Sequence, residues 1–429
     1  MISCKDIFFN PFKFSFKVEQ IPIILFFGAL FLLNPTIALI GSFVVLLTTP
    51  SPTKGVYYLF YLLLASWMGV LNMTKEPVSD QIYYTLCYQN VKVSDINSFW
   101  TAVLEYRYLS ELYLSFISYK EILFNFYSVV CHLLTGGNVR GYYFIITFNF
   151  YILHYFALHK ILSASNRSKS DIICAVVLIT FFSPLFIQTI HGVRQMLATS
   201  FLIYAIAYRT VEKRFHFPFL IISFFIHNTT LLYIVLSLIP YFYTKLSVKK
   251  TAILCIVFII LLSTYVKICL FFEKLDVIGL SDAASRVAHL DMSEKFAVNV
   301  RANMIYCIPT AIVALIIAFR EYMNKGVKVS PMISFPYFFF ITAFIVFGFS
   351  SAPTLQFRYM IYIFSFIPFI LPFAFKTQEK RQKIYSWGLA IFFSCRFFFY
   401  DAWPSKYASM EDIISSSFYY FWTTTFYTI

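Results

Sequence analysis

Charge is what this sequence has least of. Only 13% of its 429 residues are Asp, Glu, Lys or Arg, against 60% hydrophobic ones. A soluble domain cannot hide that much apolar side chain from water, so a water-soluble globular class is excluded. Paired cysteine spacing is missing too. The eight cysteines are scattered, mostly inside apolar runs (Cys174, Cys255, Cys269, Cys307, Cys395), and no CxxC or Cys/His spacing occurs. Neither a metal site nor a disulfide framework is expected from them. No internal repeat, low-complexity stretch or soluble domain is visible. No small-residue cleavage motif follows the first apolar run, so a cleavable signal is not expected. The net charge of +14 does not imply nucleic acid, because the basic residues sit in short connections between apolar runs, where they set membrane orientation.

What is there in abundance is apolar and aromatic: 54 Phe and 32 Tyr. Phe suits lipid-facing and helix-packing surface, Tyr the interface belts. The chain is therefore expected to be an all-α, polytopic membrane bundle, one domain over residues 1–429, with roughly 10–14 transmembrane or re-entrant helices. The run Ile21 to Thr49 would be about 43 Å as a single helix, and Asn34-Pro35 interrupts it, so two short helices in a hairpin are expected. Gly55 to Met73 then crosses outward. Residues 74–120 and 273–301 are the two long polar stretches and are placed outside. The first is expected to lie on the membrane surface. Glu121 to Leu134 is short and is read as re-entrant or dipping partway. Tyr142 to Leu158 returns inward, Ile172 to Ile190 goes outward and Met196 to Tyr208 comes back. Phe215 to Tyr243 has basic clusters at both ends (Lys213 and Arg214; Lys245, Lys249 and Lys250). Both ends are then inside, and His227 lies near an outer turn. The stretch 401–429 reads as interfacial or as a last helix.

One stretch stands out chemically. Ile190-His191-Gly192-Val193-Arg194-Gln195 puts an arginine, a glutamine and a histidine between two membrane-embedded runs. A helix beginning near His191 would place His191, Arg194 and Gln195 on one face, with Ala198 and Ala205 continuing close to it and admitting a neighbouring helix. A membrane-edge arginine is costly and marks a functional site by default. Threaded through the topology above, His191, Arg194, Gln195, His227 and Arg358 reach one side. Arginine forks bind phosphate and diphosphate with bidentate, charge-assisted bonds, and a histidine can act as a base near neutral pH. Acidic and aromatic outer residues (Asp80, Tyr83, Tyr84, Glu105, Glu111) suit sugar binding. Each residue taken singly has a plainer reading: Arg194 and Arg358 as snorkelling anchors, His227 as a packed histidine, Asp80 and Tyr84 as solvated loop residues.

The order Gly192-Val193-Arg194-Gln195-x-x-Ala198, then Phe225-x-His227-x-Thr229, then Arg358-Tyr359 resembles the EpsG-like branch of Wzy-type polysaccharide polymerases. Asn34-Pro35, Asp80-x-x-Tyr83-Tyr84 and Lys120-Glu121-Ile122 agree with it. The resemblance covers most of residues 20–375 and rests on short motifs in a fixed order. It departs at Asn228, where Ser or Thr usually follows the histidine, and at Ile122, where proline is common. It implies a metal-independent, cofactor-free glycosyltransferase in the bacterial inner membrane. Such an enzyme joins undecaprenyl-diphosphate-linked oligosaccharide repeat units into O-antigen or capsular polysaccharide, with a chain-length regulator and a flippase as partners. Arg194 and Arg358 would stabilise diphosphate charge, and His227 or an external carboxylate would deprotonate the acceptor. His191, Gln195, Asp80, Tyr84 and Glu121 would contact substrate. Three rivals remain open, the weakest of them a membrane O-acyltransferase. An O-antigen ligase also uses external arginines and a histidine but typically carries a larger external loop late in the chain. A flippase for the same lipid should show paired repeats and charges deep within spans.

The topology is directly testable. Gly192→Cys and Asn228→Cys proteins are expected to react with an impermeant thiol reagent in intact spheroplasts, because the basic loops on either side place both positions outside. Labelling only after lysis would overturn it.

Overall fold

The computed structural model describes residues 20–77, 80–93, 98–114, 122–244, 248–264, 334–348, 353–374, 380–401 and 408–424, with isolated positions at 267, 271, 312 and 426. Among these residues every regular element is a helix, as an apolar chain must arrange when no water is at hand for its backbone groups.

The first apolar run breaks at its proline. α1 (Ile21–Leu33) and α2 (Pro35–Thr48) meet at Asn34, whose side chain accepts from the Ile37 amide at 2.9 Å and so caps α2; Pro35 occupies the first helical position, where no amide hydrogen is needed. Phe27 lies against Gly41, and Gln20 donates to Thr53 Oγ1 at 2.6 Å. The two helices therefore fold back on each other as the expected hairpin.

α3 (Lys54–Met73) follows, then α4 (Asp80–Asn90), α5 (Phe99–Leu114), α6 (Ile122–Thr135) and α7 (Val139–Ala164). α3 and α7 are long and apolar enough to cross a membrane. They run antiparallel: the Tyr61 hydroxyl meets His159 Nδ1 at 3.0 Å toward one end, and Asn72 donates to Thr147 toward the other. α8 (Lys169–Thr180) and α9 (Ser183–His191) are together long and apolar enough to cross, with a bend of 51° between them. The bend falls at Phe181–Phe182, just before Pro184 opens α9. α10 (Val193–Glu212) runs parallel to α7, with Lys160 and Glu212 paired at 2.5 Å where both end. Lys169 reaches the carbonyls of Leu46, Leu47 and Thr49 at the same end, which we call the basic end.

α11 (Phe217–Ile226) and α12 (Leu231–Leu238) form the second expected hairpin. The Arg209 guanidinium lies 3.8 Å from the Phe215 ring and 5.2 Å from the Tyr243 ring, so the residues before α11 and after α12 return to one place at the basic end. The remaining helices are α13 (Val248–Ser263), α14 (Ser334–Gly348), α15 (Pro353–Ala374), α16 (Lys380–Arg396), α17 (Met410–Ser415) and α18 (Phe418–Thr423). α6 is about 21 Å long, less than the ~30 Å apolar core. It starts level with the middle of α7, where Asn149 donates to Tyr127, and ends at the opening of α7. It is thus too short to cross such a core by itself.

The described part of residues 74–120 is more deeply packed than a surface-lying segment is expected to be. α4 and α5 are folded onto α6 and α7, with Tyr84, Cys87, Tyr88 and Tyr106 buried in a second core together with Phe124, Val193 and Ile226. Tyrosine hydroxyls explain the difference. Tyr88 meets Thr135, and Tyr142 meets Ser128 at 2.8 Å, so rings that read as interfacial can be buried at little cost once their polar tips are paired. The second polar stretch, 273–301, lies outside the described residues.

Residues 408–424 close the end opposite the basic one. Asn34 donates to the Ile414 carbonyl at 2.8 Å, Thr36 to that of Ile413 at 2.6 Å, and the Trp67 indole donates to Thr36 Oγ1 at 3.0 Å. Asn138 and Arg140 at the start of α7 hold the carbonyls of Trp422 and Thr424. The turn of the first hairpin therefore stops within the body and is plugged from the far end. Asn34→Ala removes a helix cap and this tie together, so it is expected to cost about 1–3 kcal/mol, read as a lowered thermal midpoint of the detergent-solubilised protein. An unchanged midpoint would mean that residues 408–424 are not held there.

Candidate functional site

Arg194 lies on the first turn of α10, at the end opposite the basic one. The helix does not begin at His191. That residue closes α9, the Gly192 amide donates back to the Gln188 carbonyl at 2.8 Å, and α10 starts at Val193. Glycine is a poor helix former, and the change of direction falls on it. His191, Arg194 and Gln195 consequently do not share one helix face. The His191 side chain lies outside the described residues.

Arg194 and Gln195 point to different neighbours. The Arg194 guanidinium carbon sits 5.3 Å from the centroid of the Tyr84 ring, within the range where a ring face attracts a cation. Tyr84 is only 1% exposed, a packed platform rather than a solvated loop residue. Tyr106 on α5 feels the same cation: burial pushes its hydroxyl well up from the ordinary tyrosine value, and the Arg194 charge pulls the other way. Gln195 is buried, and its amide donates to the backbone carbonyl of Arg358 on α15. The Arg358 side chain is exposed at this same end.

His227 reaches the group from the third side. It ends α11, with its amide on the Ser223 carbonyl at 3.1 Å, and a 3-10 turn, Asn228–Thr230, leads into α12. Ser223 Oγ donates to the Ala198 carbonyl at 2.9 Å. Ser223 is one turn before His227 and Ala198 one turn after Arg194, so the two residues share a level. Thr229 Oγ1 lies 2.6 Å from the Tyr362 hydroxyl, and the Tyr233 hydroxyl donates to the Tyr359 carbonyl at 3.0 Å. The histidine-bearing turn is thereby bound to the helix that carries Arg358. Thr229, two positions after the histidine, makes the contact.

The structure thus brings together Arg194, Gln195, Tyr84, His227 and the Arg358 segment. Asp80 opens α4 at the same end, but its side chain lies outside the described residues, as does Glu121 altogether. Sequence reasoning passed over two neighbours, Tyr106 and Lys75. The Lys75 ammonium is 5.0 Å from the Phe186 ring on α9. A lysine directly after an outward span runs against the placement of the other basic residues, and that exception was the available signal. Chemically, the group offers fixed cations at a membrane edge, a histidine, and aromatic rings. It can hold an anionic head group and stack a sugar beside it.

Residues 56–419 match the EpsG family. No curated protein and no solved structure matches the chain.

If the ring and the guanidinium interact as drawn, a double-mutant cycle of Arg194→Ala and Tyr84→Leu should give a coupling of about 0.5–2 kcal/mol in thermal unfolding. Strict additivity would separate Tyr84 from the site.

Proposed function

The chain belongs to the EpsG family, and from that premise we propose that it joins undecaprenyl-diphosphate-linked oligosaccharide repeat units into O-antigen or capsular polysaccharide at the periplasmic face of the inner membrane. It is a membrane protein, and its family supports a polysaccharide-polymerase-like role in general. The observation that carries the finer reading is the convergence of Arg194, the His227 turn and the Arg358 segment at one end of the bundle. Side-chain hydrogen bonds from Gln195, Ser223 and Thr229 tie the three together.

In this reading the growing glycan is the donor and the incoming lipid-linked unit is the acceptor. A hydroxyl oxygen on the non-reducing sugar of the acceptor attacks the anomeric carbon of the donor. A new glycosidic bond forms, the bond from that carbon to the diphosphate oxygen breaks, and undecaprenyl diphosphate leaves with the electron pair. The hydroxyl proton passes to His227 or to an external carboxylate. Arg194 and Arg358 stabilise the charge that builds on the leaving diphosphate, which is the type of contribution that usually dominates such catalysis. The buried Tyr84 ring lies against the Arg194 guanidinium and helps to position it.

The test is the chain-length distribution of the surface polysaccharide, measured alongside membrane protein level. Arg194→Ala is expected to leave a single repeat unit at normal protein level, a loss of about 3–4 kcal/mol or roughly 100- to 1000-fold in rate. Arg194→Lys keeps the charge but loses the planar fork and should fail as well. A normal ladder from Arg194→Ala would remove Arg194 from the site, and loss of every repeat unit would point to a flippase or ligase.

A further inference from the structure

α7 serves as a ruler for the far end of the bundle. Its Thr147 receives the Asn72 amide, three residues before Lys75 on the chain. One turn nearer the far end, Tyr143 bonds Thr85 of α4. The residue before it on α4, Tyr84, lies under the Arg194 guanidinium. α10 runs parallel to α7, with Lys160 facing Glu212 at the other end, so Arg194 stands at the level of Tyr143. Lys75 and Arg194 thus stand at about one level along the bundle. Phe186, which packs against the Lys75 ammonium, lies on α9, the helix that leads through Gly192 into Arg194.

Two further groups at this level await partners. Asn72 Oδ1 and Gln81 Oε1 are buried and accept no hydrogen bond among the described residues. Gln81 stands one turn before Thr85, on the face of α4 that meets α7. A buried acceptor left without a donor costs about 1–3 kcal/mol, which a ligand hydroxyl would recover. A cation at the level of two open acceptors matches a phosphate next to a hydroxylated ring.

We propose that Lys75 is a second cationic contact for the diphosphate that Arg194 receives, with the Asn72 and Gln81 amide oxygens accepting hydroxyls of the attached sugar. The proposal rests on the polymerase reading above and names the part of the substrate, a glycosyl diphosphate, that this side of the site takes. The ammonium is a compact point charge where Arg194 is a flat fork; the two can therefore serve different phosphate oxygens.

Lys75 also differs from Arg194 in being able to lose its charge. Burial lowers its amine to about 8, so the cation is present at pH 7 and disappears as pH rises through that value. Phe186 on α9 packs against it, its amide bonds the Asn72 carbonyl, and Glu76 is its neighbour on the chain. Burial pushes Cys87 on α4 up to about 11 and raises Tyr106 on α5 as well, away from this range.

The experiment measures binding of undecaprenyl diphosphate to the purified full-length protein at pH 7 and pH 9, with the thermal midpoint recorded for each variant. Wild-type affinity is expected to fall between pH 7 and pH 9. Lys75→Met should bind about 10-fold more weakly at pH 7, the loss of one charge-assisted bond. Lys75→Arg should restore binding and keep it at pH 9. Wild-type affinity in Lys75→Met overturns the proposal, while the polymerase reading stands as long as Arg194→Ala weakens binding. If wild type fails to bind, or Arg194→Ala binds as wild type, the polymerase reading itself fails. Should Lys75→Met not fold, Lys75→Arg decides: a fall at pH 9 equal to that of wild type overturns the role of Lys75.

Discussion

Every helix break in this protein has to satisfy its own backbone without help from water. In an apolar surround an unpaired amide or carbonyl costs several kcal/mol, so a break persists only where side chains or neighbouring segments supply partners. At Asn34 the side chain accepts from the Ile37 amide. At Gly192 the amide turns back to Gln188. At His227 the amide turns back to Ser223, and the Thr230 amide and hydroxyl both donate to the His227 carbonyl. Side chains at or beside these breaks then join the segments: Asn34 and Thr36 hold the carbonyls of Ile414 and Ile413, and Gln195, Ser223 and Thr229 draw α10, α11 and α15 together.

Much of this is legible in residue order. Basic clusters at both ends of Phe215 to Tyr243 force a hairpin, and the Arg209 side chain packed on Phe215 and Tyr243 shows its closure. Asn34-Pro35 breaks the first run for reasons any proline would impose. The small residue Ala198 does admit a neighbour, since Ser223 reaches its carbonyl. The start of α10 was not legible, because the pattern of apolar residues runs through Gly192 without a mark. Periodicity reports faces, not bends.

The described part of 74–120 is more deeply packed than expected for a more general reason. Tyrosine has an apolar body and a polar tip, and sequence alone does not say whether the tip meets water or a buried partner. Here Tyr88, Tyr142 and Tyr143 find Thr135, Ser128 and Thr85. The paired hydroxyls turn what looked like an interface belt into a core, and that core is what supports Arg194 from beneath. The Lys75 ammonium lies 5.0 Å from the Phe186 ring, a contact that residue order does not mark.

The bond between Asn34 and Ile414 spans 380 residues. At a synthesis rate of roughly 5–20 residues per second, about 20–80 s separate the making of one partner from the making of the other. During that interval the side chains of Asn34 and Thr36 lack the carbonyls they hold in the finished fold. The order in which the ribosome delivers the chain therefore decides when the turn of the first hairpin is closed off.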